Sequence, residues 1–78
     1  MEWNVVDGKL VNTFKFQSQT ELVSFLLKVA IFADEINHHP DCKIFKAFQL
    51  EITLFTYDQQ KITELDDQLA NKIDELYR

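Results

Sequence analysis

Residues 34–45 read Asp34-Glu35-Ile36-Asn37-His38-His39-Pro40-Asp41-Cys42-Lys43-Ile44-Phe45, and the fold turns on how the chain changes character there. Before this stretch, Leu22, Phe25, Leu26, Val29, Ala33 and Ile36 recur at helical spacing. Pro40 has no amide with which to continue a helix and biases His39 towards extended geometry, so the helix must end around Asn37 to His39. Beyond it, residues 42–45 suit a short strand. Ser18 followed by Glu21 forms a capping-box pattern, which predicts a helix over residues 19–36. Val23, Leu27, Ala30 and Ile31 widen its apolar surface until only Glu21, Ser24, Lys28 and Glu35 remain as a narrow polar edge. One small sheet cannot cover so much apolar surface.

Upstream, residues 3–6 are apolar and partly β-branched, Asp7-Gly8 is a hairpin turn signal, and residues 10–16 put Asn12, Phe14 and Phe16 on one face with Val11, Thr13 and Lys15 on the other. Downstream, a turn near Lys46-Ala47 leads into residues 48–55, where Leu50, Ile52 and Leu54 alternate with Gln49, Glu51 and Thr53. After a polar run over residues 57–62, Thr63 and Asp66 repeat the capping pattern ahead of Leu65, Leu69, Ile73 and Leu76. The order β-β-α-β-β-α predicts an α+β fold: a four-stranded antiparallel sheet with both helices on one face and a semi-polar second face carrying Val11, Thr13 and Phe55.

With 78 residues, 46% of them hydrophobic, the chain is expected to form one domain over 1–78 and to be small enough to seek a partner subunit. Eight basic against thirteen acidic residues give a net charge of −5, which works against direct nucleic-acid binding and against anionic membranes. No apolar run approaches the length of a membrane span. The lone Cys42 and the absence of a signal-peptide pattern favour a soluble, cytoplasmic, reduced setting. The seven phenylalanines read as core, since no Gly-rich phosphate loop accompanies them.

Chemistry concentrates at Asp34, Asn37, His38, His39 and Pro40, where both histidines of the chain stand side by side near a carboxylate. Histidine suits acid–base work near neutral pH. If helical geometry persists, Asp34 and His38 lie four apart and can meet, which would orient the imidazole. A plainer reading has both histidines capping the helix C-terminus, where the dipole favours cations. A metal site on Asp34, His38 and Cys42 is disfavoured, because Pro40 spoils the spacing, adjacent histidines diverge and a fourth ligand is missing. Cys42 lacks the basic surroundings of a nucleophile, Lys43 apart, and is expected as a buried or half-buried strand residue.

The chain resembles the pterin-4a-carbinolamine dehydratases, also called 4a-hydroxytetrahydrobiopterin dehydratases. The resemblance rests on Trp3, Asp7-Gly8-Lys9-Leu10, Thr13-Phe14-Lys15-Phe16, Asp34 to Asp41 with its acidic residue, three positions and His-His-Pro, Ile52 to Asp58, and Ile62 to Asp66. It implies homodimers or homotetramers and a dehydration of a 4a-hydroxylated reduced pterin that uses neither metal nor cofactor. Matched position by position, His38, His39, Asp34 and Tyr57 would be the catalytic set, with His39, Asn37, Pro40 and Thr56 meeting the substrate. The family has a third histidine where this chain has Tyr57, so weakened turnover is expected; phenol donates hydrogen bonds but is a poor base at neutral pH. Between Pro40 and Tyr57 the chain is one residue longer than the family pattern, which calls for a bulge or a longer turn. Family members usually carry a further helix ahead of the tryptophan, and with Trp3 almost at the start of this sequence a fold lacking that helix is expected. Some relatives assist dimerisation of a transcription factor, so the alternative is a protein-binding or dimerisation module of the same fold whose acid–base apparatus has decayed.

Overall fold

Ser18 sits in extended geometry and its hydroxyl accepts from the Glu21 amide at 3.1 Å, which starts a helix over Gln19–Ile36. At the other end Asn37 adopts the left-handed conformation (φ 52°), with its amide donating to the Asp34 carbonyl and the His38 amide to the Ala33 carbonyl. These paired bonds are a Schellman closure, a position where Asn is tolerated because its short side chain visits this region more readily than most. Proline's effect is therefore anticipated three residues earlier by Asn37.

The computed structural model describes residues 3–78. In it β1 (Asn4–Val6), β2 (Lys9–Lys15), α1 (Gln19–Ile36), β3 (Asp41–Phe45), β4 (Gln49–Leu54) and α2 (Glu64–Tyr77) follow one another in the expected order. All neighbouring strands are antiparallel and lie in the order β1-β2-β4-β3. Asp7 and Gly8 both have positive φ, as a two-residue hairpin turn of this hand requires. Three residues, Lys46 to Phe48, separate the paired Phe45 and Gln49, and Lys46 and Ala47 take positive φ without glycine's freedom. The register from Asp41↔Thr53 to Phe45↔Gln49 runs unbroken, so β3 and β4 pair without a bulge and reverse through this longer turn.

Phe14, Leu50, Ile52 and Leu54 point from the sheet towards Leu22, Phe25 and Val29 of α1 and Leu69 and Ile73 of α2, and these residues are buried in one cluster. Phe14 is its aromatic centre: Trp3, Phe25 and Tyr77 surround it with ring centroids 5.8, 5.6 and 4.8 Å away. The Tyr77 hydroxyl donates to the Lys15 carbonyl at 2.8 Å and Trp3 Nε1 to Asp74 at 3.1 Å, so the end of α2 is tied to the first hairpin by the polar tips of aromatic residues.

Two expectations about burial need correction. Phe48 is exposed, because it belongs to the turn and not to the paired part of β4. Cys42 shares a face with Ile52 but lies on the edge strand β3 and is exposed. The surplus apolar surface of α1 is real: Val23, Leu27 and Ile31, four residues apart in succession, are 50%, 60% and 53% exposed. Among the described residues no helix is long and apolar enough to cross a membrane.

Because Asn37 carries the left-handed closure, Asn37→Ala should lower the unfolding free energy by about 1 kcal/mol while Asn37→Gly leaves it unchanged or raised. Urea denaturation of the three proteins checks this; equal midpoints for the alanine and glycine variants would contradict it.

Candidate functional site

The left-handed turn at Asn37 decides where both histidines go. It swings His38 off the helical path, so His38 does not meet Asp34 four residues before it. Instead His38 Nε2 lies 2.6 Å from Asp66 Oδ1 at the start of α2, and His39 Nε2 lies 2.7 Å from Asp34 Oδ1. The expected pairing is thereby corrected by one residue: Asp34 orients His39. The two pairs differ in setting. Asp66 is fully buried and the His38 side chain is 11% exposed, whereas the side chains of His39 and Asp34 stand largely in water. Solvent screening leaves the outer pair little energetic weight. The inner pair has a fixed geometry that its surroundings enforce.

Those surroundings grow from the capping pattern of α2. Thr63 is extended, its hydroxyl accepts from the Leu65 amide, and Asp66 Oδ2 accepts from the Thr63 amide at 2.9 Å. The same Oδ2 receives the Thr56 hydroxyl at 2.8 Å, and the Thr56 and Thr63 hydroxyls meet at 2.7 Å. Oδ1 remains for His38. A buried carboxylate thus has both oxygens engaged, as burial of a charge demands. With Nε2–H donating to that carboxylate, the neutral His38 ring presents Nδ1 as its basic nitrogen, and Nδ1 has no protein hydrogen bond among the described residues. Thr56, expected against substrate, is buried with its hydroxyl on Asp66.

Asp66, which the sequence marks only as a cap, is the partner of His38. The available signal was its capping role itself: a cap needs one carboxylate oxygen, which leaves the second free to meet another donor.

Tyr57 follows Thr56 and is exposed, with its hydroxyl donating to Asp41 Oδ2 at 2.5 Å. Asp41 opens β3 immediately after His38-His39-Pro40, so this phenol is tied to the histidine segment through the backbone. Asn37 is exposed and Pro40 half-buried at the same exit. A surface cavity of about 350 Å³ lined by Thr56, Asp58, Gln59, Thr63, Glu64 and Leu65 shares both threonines with the Asp66 network. A second cavity, about 520 Å³ between Lys15, Ser18, Phe25, Lys28 and Tyr77, contains no residue of the histidine segment.

Among the described residues no three His, Cys, Asp or Glu side chains gather as a metal-holding group, and Asp34 and His38 serve different partners. Although Cys42 as a residue is exposed, desolvation of its thiol, with the Asp41 carboxylate second, pushes it up to about 11. A nucleophile needs the opposite shift.

The family model described as Pterin 4 alpha carbinolamine dehydratase matches residues 1–76. The chain belongs to this family. A protein of Sulfurisphaera tokodaii, provisionally named a pterin-4-alpha-carbinolamine dehydratase, is 43% identical over 74 residues, covering 95% of this chain and 78% of its own. A Herpetosiphon aurantiacus protein with the same provisional name is 37% identical over 75 residues, covering 96% and 77%. The crystal structure of a transcriptional coactivator/pterin dehydratase from Brucella melitensis superposes with a TM-score of 0.89 at 29% identity, covering 97% of this chain and 82% of that one. A pterin dehydratase-like protein described as a RuBisCO assembly factor in the alpha-carboxysome has the same fold, with a TM-score of 0.76 at 23% identity and coverage of 97% and 87%.

Asp66→Ala would leave the Thr63 amide, the Thr56 hydroxyl and His38 without their acceptor, and should cost about 3 kcal/mol of stability; Asp66→Asn, which keeps an acceptor oxygen, should cost less. Chemical denaturation measures both. A loss below about 1 kcal/mol for the alanine variant would show that the network does not hold the helix start.

Proposed function

We propose that this protein, acting as one domain over 1–78, dehydrates a 4a-hydroxytetrahydropterin to the quinonoid dihydropterin and water. Supporting it most directly is an imidazole, His38, anchored through Nε2 to a buried carboxylate with Nδ1 left for proton transfer, in a chain of the dehydratase family. In the reaction the C4a–O bond breaks and the hydroxyl leaves as water after taking a proton, while N5 loses its proton and a C4a=N5 double bond forms. His38 is the principal acid–base group: its imidazolium can give the proton to the departing hydroxyl, and its neutral form can accept one at Nδ1. The Asp66 carboxylate steadies the cationic form without itself accepting the proton. His39, held by Asp34 at the surface, binds the pterin ring together with Asn37 and Pro40. Tyr57 offers a hydrogen bond where the family's third histidine would offer a base, so turnover is slower than three imidazoles would support.

The module reading has a specific point in its favour: Tyr57 replaces an acid–base residue, and a protein of this fold is described as an assembly factor. It predicts no turnover and no response of either imidazole to a reduced pterin.

We also propose that the protein works as a homo-oligomer, with the Val23, Leu27 and Ile31 stripe covered by a second copy of α1. Sedimentation should give a mass at least twice 9.2 kDa, and Leu27→Glu should shift it towards monomer. A wild-type monomer at micromolar concentration would contradict this.

Stopped-flow observation of freshly generated carbinolamine tests the enzymatic proposal. The rate should exceed buffer alone, with His38→Ala chiefly lowering kcat and His39→Ala chiefly raising KM. A wild-type rate equal to buffer would overturn the activity, and identical losses for the two variants would overturn the division of roles.

A further inference from the structure

Two segments distant in sequence from Tyr57 converge on its hydroxyl. It donates to Asp41 Oδ2 at 2.5 Å, and Lys9 Nζ donates to it at 3.4 Å. The Lys9 ammonium also lies over two rings, 5.2 Å from the centroid of Phe55 and 5.0 Å from that of Tyr57, and these rings meet edge to face at 5.1 Å. Sheet register explains the convergence. Leu10↔Leu54 sets Lys9 opposite Phe55 across β2 and β4, and Asp41↔Thr53 brings the start of β3 beside the end of β4.

Contacts of this kind at exposed residues contribute little to stability, since water competes for each charge. What they accomplish together is orientational. An exposed phenol would otherwise swing its hydroxyl through a wide arc, whereas here its proton is committed to Asp41, Lys9 occupies one side of the oxygen and Phe55 limits the ring. A hydroxyl oxygen has two acceptor lone pairs, and Lys9 uses one. The second is left for a donor outside the chain, and a reduced pterin carries several ring N–H groups.

We propose that Lys9 and Asp41 are positioning residues that hold the Tyr57 hydroxyl as a hydrogen-bond acceptor for the bound pterin. This rests on the dehydratase reading of the site. It assigns the position lacking the family's histidine to an assembly of three side chains, in which binding and orientation replace proton transfer.

The test uses the full chain labelled with ¹³C at tyrosine Cζ, which gives two resonances, one each for Tyr57 and Tyr77. In the free protein Asp41→Asn should move the Tyr57 signal and leave that of Tyr77 in place. Addition of 7,8-dihydrobiopterin should move Tyr57 in the wild type. In turnover, Asp41→Asn and Lys9→Met should each lower kcat/KM about fivefold, the effect of one misplaced hydrogen bond. Both effects should vanish when Tyr57→Phe is already present, because the two residues act through the hydroxyl. A Tyr57 signal indifferent to Asp41→Asn overturns the inference, as does a loss of the same size with or without Tyr57→Phe. If 7,8-dihydrobiopterin moves the His38 resonances but not Tyr57, the inference fails and the dehydratase reading stands. If it moves neither and no turnover is seen, both fail.

Discussion

A single buried carboxylate organises the end of this molecule that carries both histidines. Asp66 has no contact with water, and its charge is compatible with that position only because the Thr63 amide, the Thr56 hydroxyl and the His38 imidazole all point at it. Each donor belongs to a different part of the chain: the start of α2, the segment leaving β4, and the exit of α1. The requirement to satisfy one charge therefore fixes how three elements meet. It also makes the histidine's orientation a by-product of folding, so the imidazole is in place before any ligand arrives.

The sheet and helices could be read from sequence because their signals are local. Ser18 with Glu21, Thr63 with Asp66, Asp7-Gly8 and the alternation of Leu50, Ile52 and Leu54 each act within a few residues, and all agree with one another. The second hairpin turns at Lys46-Ala47 as the sequence implies, but its conformation is not legible there. Lys46 and Ala47 take left-handed conformations that residue type does not advertise, and the cost is accepted because the paired strands on either side determine where the chain must reverse. Phe48, expected as core, lies in the same turn ahead of the first paired residue of β4 and is exposed.

The histidine pair was equally visible in the sequence, but its partners were not. Pairing Asp34 with His38 assumes that the helix continues through residue 38, and the left-handed Asn37 ends it one residue too soon for that. Asp66 lies 28 residues from His38, a separation at which no periodicity operates; only the fold brings them together. The contacts of Tyr57 with Lys9 and Asp41 are likewise products of strand register. Residue types mark the segment, and tertiary structure decides which carboxylate each imidazole meets.

His38 held by Asp66 through Nε2 leaves Nδ1 for the proton transfer proposed above. Long-range ¹H–¹⁵N correlation spectra of the imidazoles read this directly, because the protonated and bare ring nitrogens of a neutral histidine resonate far apart. At a pH where His38 is neutral, the proton should sit on Nε2 and the bare-nitrogen signal should belong to Nδ1, which should move when 7,8-dihydrobiopterin is added. A proton on Nδ1, or a His38 tautomer unaffected by Asp66→Asn together with no response to the pterin, would contradict the account.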